Sequence, residues 1–277
     1  MKQKLDAKLE LIFYSGTTLL EGPCWDVEEQ VLYCVSIEQN LIYRVNPNSG
    51  NVTSFPTDGP VGCAVYRGNN ILWSAEKEGI FETHVKTGRR TFLFQPETDL
   101  NMRFNDGKLD PAGRFLFGTM GYKQEKPGFG RVYSYDGKSC KVLIEGTTIS
   151  NGIAFSIDNS YLYFIDTPTK KVAQYQYNLE TGEATFDRFI IEFTEEGWPD
   201  GMCADIDGML WVAEWEGGKV CKWNPNTGKK LSEIKLPCKR VTSCCLGGPN
   251  NEYLFITTAK DDNELDILGG ALFKYKL

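Results

Sequence analysis

A leucine followed by an aromatic residue recurs along the whole chain, as Leu32-Tyr33, Leu72-Trp73, Leu116-Phe117, Leu162-Tyr163, Leu210-Trp211 and Leu254-Phe255. The successive intervals are 40, 44, 46, 48 and 44 residues. A period in this range is that of a four-stranded propeller blade, a unit that cannot bury its apolar face alone and must stack on neighbours. Six such units in 277 residues predict an all-β, six-bladed β-propeller with four-stranded blades, forming one domain over residues 1–277.

The segments between the pairs agree with this. Asn46-Pro47-Asn48-Ser49-Gly50, Lys86-Thr87-Gly88, Asn178-Leu179-Glu180-Thr181-Gly182 and Asn224-Pro225-Asn226-Thr227-Gly228 are turn sequences, with glycine available where φ must be positive. Their flanks alternate with a period of two, as in Val172-Ala173-Gln174-Tyr175-Gln176-Tyr177. Long amphipathic helical patterns are absent. Leu9 to Tyr14 and Gly270 to Leu277 are both strand-like, and are expected to share the last blade and close the ring without an exposed sheet edge. The Gly-His…Trp-Asp signature of WD40 repeats is missing, which weakens a pure docking role.

Charge and rare residues narrow the chemistry. A formal net charge of −7 argues against a nucleic-acid partner, since phosphate binding relies on clustered lysine and arginine. No apolar run is long enough to span a bilayer, and Met1 to Leu11 mixes charges with isolated apolar residues instead of forming a leader. The nine cysteines are scattered, with Cys244 and Cys245 adjacent and no CxxC spacing, so buried, reduced thiols in a cytoplasmic protein are expected. His84 is the single histidine, on a strand entering a turn. A multi-histidine zinc site is excluded, and a Ser-His-Asp triad would have to use this one residue.

Aligning the repeats on the Leu-aromatic pair exposes polar residues at one phase. Glu21, Asn105 and Asn151 each lie 11 residues before the leucine, and Asp200 lies 10 before. Each is followed closely by glycine. In a propeller this phase falls at the start of the innermost strand, where the blades converge on the axis. Asn-Gly and Asp-Gly are also ordinary turn signals. Four oxygen-bearing side chains in one phase, two of them anionic, suit a hard cation such as Ca²⁺, Mg²⁺ or Mn²⁺ with room left for water and substrate.

Several runs then resemble the senescence-marker-protein-30/regucalcin/gluconolactonase family. They are Leu20-Glu21-Gly22-Pro23-Cys24-Trp25, Arg103-Phe104-Asn105-Asp106-Gly107-Lys108, Gly118-Thr119-Met120, Ser150-Asn151-Gly152, Pro199-Asp200-Gly201-Met202 and Val241-Thr242-Ser243-Cys244-Cys245. The resemblance covers nearly the whole chain in order. It implies one axial divalent metal, often Ca²⁺ or Zn²⁺, and hydrolysis of sugar lactones. By motif, Glu21, Asn151 and Asp200 are then metal ligands, and Asp200 is also the general base. Arg103 and Asn105 are substrate contacts, with a blade-to-blade ion pair as the structural alternative for Arg103. Lys123 stands where several relatives carry a sugar-contacting glutamate and joins the substrate-binding set, whereas Glu125 reads as a solvated loop charge.

The resulting expectation is a metal-dependent aldonolactonase with a small-molecule sugar lactone as its partner. It would act as a monomer or weak homo-oligomer, without nucleic acid or membrane. The cation would act as Lewis acid at the lactone carbonyl, with Ca²⁺ foremost and Zn²⁺, Mg²⁺ or Mn²⁺ as alternatives. Two other readings stay open: an organophosphate or other ester hydrolase on the same scaffold, and a non-catalytic calcium-binding propeller.

Overall fold

The computed structural model describes residues 6–261 and 267–277. Met1 to Leu5 of the charged N-terminal run lie outside the described residues. Among the described residues are twenty-four strands and one 3₁₀ turn, arranged as six antiparallel four-stranded sheets.

After β1 (Leu9–Tyr14), blade one runs outward from the axis as β2 (Leu20–Asp26), β3 (Val31–Ser36), β4 (Leu41–Val45) and β5 (Val52–Pro56). Blade two is β6 (Val61–Tyr66), β7 (Ile71–Glu76), β8 (Gly79–His84) and β9 (Arg89–Phe94). Blade three is β10 (Met102–Leu109), β11 (Phe115–Gly121), β12 (Gly130–Tyr135) and β13 (Cys140–Thr147). Blade four is β14 (Ser150–Phe155), β15 (Tyr161–Asp166), β16 (Lys171–Asn178) and β17 (Glu183–Glu192). Blade five is β18 (Trp198–Ala204), β19 (Leu210–Trp215), β20 (Lys219–Asn224) and β21 (Lys229–Lys235). Blade six contains β22 (Arg240–Gly247), β23 (Tyr253–Ala259) and β24 (Ala271–Lys276), with β1 as its outer strand. Leu9 pairs with Tyr275 and Tyr14 with Ala271, so the two ends of the chain close the ring as expected.

The repeat is the core. All six Leu-aromatic pairs lie on the second strand of their blades and all twelve side chains are buried. Full burial of a leucine or aromatic side chain stabilises by roughly 1.5–3 kcal/mol, so one pair per blade anchors each interface. Trp25 stacks on Phe255 across the blade one–blade six junction, with ring centroids 5.1 Å apart. The turn sequences join third strands to outer strands. Asn46, Asn178 and Asn224 each accept backbone N–H bonds on Oδ1, and Gly50, Gly182 and Gly228 close the turns at positive φ. His84 ends β8 half-buried, paired with Ile71.

Candidate functional site at the propeller axis

The site depends on a backbone device present in every blade. Pairing between the innermost strand and the second strand slips once in each: between Glu21 and Cys24, Val61 and Cys63, Phe104 and Gly107, Asn151 and Ile153, Pro199 and Met202, and Val241 and Ser243. A bulge leaves a residue unpaired and re-aims its side chain. In blades one, three, four and five, Glu21, Asn105, Asn151 and Asp200 stand at this slip; blade two places the apolar Val61 there. The Asn-Gly and Asp-Gly pairs are therefore bulges within strands and not hairpin turns.

The glycines serve a second purpose. A Cβ on Gly62 would meet Asn105 O at 2.5 Å, one on Gly152 would meet Asp200 O at 2.7 Å, and one on Gly201 would meet the Ser243 Cα at 2.8 Å. Each glycine thus lets its innermost strand press against the next blade, drawing the four polar residues together.

Glu21, Asn105, Asn151 and Asp200 are all buried, and all line one cavity of about 540 Å³ with Arg103. A chain of hydrogen bonds crosses three blades along one side. Arg103 Nη1 donates to Asn105 Oδ1 at 2.8 Å, and Asn105 Nδ2 donates to Asn151 Oδ1 at 2.8 Å and to Ser150 O at 3.0 Å. Asn151 Nδ2 donates to Thr167 Oγ1, and that hydroxyl donates to Pro199 O, each at 2.8 Å. Across the cavity, Glu21 Oε2 accepts from the Gly22 N–H at 2.7 Å.

The electrostatics are strained. Burial, then repulsion from Asp106, pushes the Glu21 carboxyl up to about 8. Burial, then Glu21 and Asp106, pushes Asp200 well above the carboxylate range. Burial also lowers the Arg103 guanidinium to about 10, against the opposing pull of Glu21. Burial raises Asp106 as well, so three mutually repelling carboxyls are opposed by Arg103 and by Lys108, whose ammonium partly offsets that rise and donates to Met202 O at 2.9 Å. A divalent cation beside Glu21 and Asp200 would offset this excess negative charge, so the donor set fits a hard cation. Among the described residues no group of three or more His, Cys, Asp and Glu side chains is arranged as a metal site, so such a cation would also need the Asn151 amide oxygen.

Lys123 is exposed, with its ammonium 5.7 Å from the Tyr122 ring centroid, and does not line the cavity; the loop residue that does is Glu125. Glu125 is itself exposed, at the rim. Arg103 Nη1 bonds within its own strand, to Phe104 O at 2.8 Å as well as to Asn105. His84 is not among the lining residues. Thr167, Trp198 and Trp215 are among the lining residues not singled out in the sequence. Thr167 opens the 3₁₀ turn Thr167–Thr169. Trp198 and Trp215 pair across β18 and β19. The signal for Trp198 was its place two residues before Asp200, on the same face of an extended strand.

A family model described as "SMP-30/Gluconolactonase/LRE-like region" matches residues 19–260. Regucalcin of Xenopus laevis is 34% identical, over 94% of this chain and 89% of its own length. Regucalcin of Homo sapiens is 32% identical, over 96% and 93%. Among solved structures, a luciferin-regenerating enzyme superposes with a TM-score of 0.89 at 28% identity, covering 97% of this chain and 95% of its own. A calcium-binding protein, regucalcin, from Agrobacterium tumefaciens superposes with a TM-score of 0.90 at 24% identity, over 96% and 92%. With the family model spanning most of the propeller and relatives above 30% identity along nearly its full length, the chain belongs to the SMP-30/gluconolactonase/LRE-like family.

Proposed function

We propose that this propeller is a metal-dependent, gluconolactonase-like hydrolase that opens the ring of a lactone, with a sugar lactone as the first substrate to test. The observation that carries this is the convergence of buried Glu21, Asn151 and Asp200 with Arg103 and Asn105 in one cavity. Family membership supports it, and one solved structure of the same fold, at 22% identity, is described as a gluconolactonase from Xanthomonas campestris.

Glu21, Asn151 and Asp200 would hold the cation, as Ca²⁺ first and Zn²⁺, Mg²⁺ or Mn²⁺ as alternatives. Bound there, it supplies a Lewis acid for the lactone carbonyl and the tetrahedral oxyanion. Asp200 orients the attacking water and accepts its proton, a role supported by its buried place in the cavity with Glu21, Asn105 and Asn151. Asn105 is tied to Arg103 and Asn151 on either side, which fixes its amide against the substrate without rotamer freedom. The guanidinium of Arg103 presents its remaining donors to the ring oxygens.

Hydrolysis of five- and six-membered lactones, measured with EDTA and then with each cation restored, tests this. Turnover that disappears with EDTA and returns with one of the cations is expected. No turnover of any lactone with any cation would overturn the hydrolase, and turnover indifferent to complete cation removal would overturn the role of the metal.

A further inference from the structure

The polar inner end of the cavity is surrounded by an apolar wall. Leu19, Ile37, Met120, Ile149, Trp198 and Trp215 line it, drawn from blades one, three and five and the turns leading into blades one and four. The backbones of Met120 and Ile149 bridge to each other, and Leu19 bridges to Ala259, so these side chains stand on fixed backbone. Trp198 and Trp215 form a cross-strand pair on blade five. The Lys170 ammonium lies 4.3 Å from the Trp198 ring centroid and the Arg240 guanidinium 5.0 Å from that of Trp215, which holds both rings in place.

This wall offers little to a polyhydroxylated ring. Both protons of the Asn105 amide are already used, on Ser150 O and Asn151 Oδ1. The Thr167 hydroxyl proton goes to Pro199 O. A sugar hydroxyl turned toward the tryptophans or isoleucines gives up its water partners and gains none, at a cost of roughly tenfold or more in binding for each. An alkyl or aryl group in the same place gains roughly fourfold for each buried methylene.

Resting on the lactonase reading, we propose that the substrate is a lactone bearing an apolar alkyl or aryl substituent, seated against Trp198 and Trp215 while its carbonyl faces the polar inner end. The ring's ester meets Glu21, Asn151, Asp200 and Arg103, and the substituent fills the space between the two tryptophans and Ile37. Selectivity then comes from the wall, and chemistry from the inner end. The two can be separated by experiment.

The test is kcat/KM, under saturating cation, for three six-membered lactones: D-glucono-δ-lactone, a δ-lactone carrying a straight five-carbon chain, and 3,4-dihydrocoumarin. The two apolar substrates are expected to exceed gluconolactone by at least about tenfold. Trp198→Ala should cut that preference by roughly tenfold, mainly through KM, and Trp198→Phe should restore most of it. Trp198 is 41% exposed, so neither change endangers the fold. Gluconolactone turned over as well as or better than both apolar lactones would overturn this proposal and leave the lactonase standing. A preference unchanged in Trp198→Ala would overturn it too. Failure of all three lactones with every cation would overturn both.

Discussion

The axial channel has two ends built by the same innermost strands, and they hold different chemistry. One end carries the buried Glu21, Asn105, Asn151 and Asp200 beneath an apolar wall. The other opens on a cavity of about 370 Å³ lined by Cys24, Cys203, Cys244 and Cys245 with Asp106 and Lys108. Adjacent residues divide between them: Asn105 faces the first cavity and Asp106 the second, because the bulge in β10 sends successive side chains to opposite ends. The thiol end contains more nominal nucleophiles, yet burial raises Cys24, Cys244 and Cys245 above the usual thiol range. Only Cys203 is lowered, by a hydrogen bond with Cys244 at an Sγ···Sγ distance of 3.8 Å. Neutral thiols are poor nucleophiles and poor ligands. Converging buried charge and not reactive residue type is what sets apart the end proposed to hold the cation.

The largest expected effect separates the ends outright. Asp200→Asn should lower kcat by about 10³-fold, within the range for losing a general base. Cation occupancy measured on the same sample distinguishes lost proton transfer from lost metal. Near-normal kcat with the cation bound would remove Asp200 from the mechanism.

Gly201→Ala attacks the backbone that makes the ends possible. Its new Cβ would press on Ser243, whose own Cβ lies 2.5 Å from that point and whose Cα lies at 2.8 Å, so a side-chain rotation cannot relieve it. A loss of about 1–3 kcal/mol in urea unfolding is expected, as for an overpacked core. Unchanged stability would show that the blade five–blade six junction is looser than described.

The pH dependence of stability reads the charge at the first end. The folded chain holds the Glu21 proton to about 8, whereas the usual carboxyl value is 4.5. Folding therefore takes up a proton between those values, and cation-free protein should lose stability progressively as pH rises from about 4.5 to about 8. Saturating cation should abolish this slope and raise Tm at pH 8 by roughly 5–10 °C, the effect of a ligand at about a hundred times its Kd on a domain of this size. A Tm independent of pH across this window without cation would contradict the crowding of Glu21, Asp106 and Asp200.

The smallest effect belongs to the other end. Cys244→Ala should leave kcat/KM within about twofold and cost about 1 kcal/mol, the value of a lost hydrogen bond and little volume. Its thiol bonds to Trp211 O at 3.4 Å and Cys203, and none of these lines the first cavity. A large loss of activity would mean that the two ends communicate.

Much of this arrangement was legible in the chain because burial is periodic. The Leu-aromatic pairs have to be inside, so their spacing counted the blades, and the phase of Glu21, Asn105, Asn151 and Asp200 followed from that count. The bulges were not legible. Glu21-Gly22 or Asn151-Gly152 suits a turn as well as a slipped strand, and only contact with the next blade decides between them. Trp215 carries no mark in the sequence of what it faces, and for Trp198 the one signal was its two-residue offset from Asp200. Thr167 acquires its role from Asn151 and Pro199, partners that are distant in sequence. Lys123 and Glu125 lie in a loop, where strand alternation no longer dictates direction, and Glu125 reaches the cavity while Lys123 turns to Tyr122.

Whether the axis binds a metal through the residues described is tested most directly by calorimetric titration of cation-free protein with Ca²⁺ and Zn²⁺, alongside Glu21→Gln. One cation bound per chain, with affinity reduced at least about tenfold in Glu21→Gln, is the expected result, since the change removes one of two anionic donors. Equal stoichiometry and equal affinity in the two proteins would contradict the axial site.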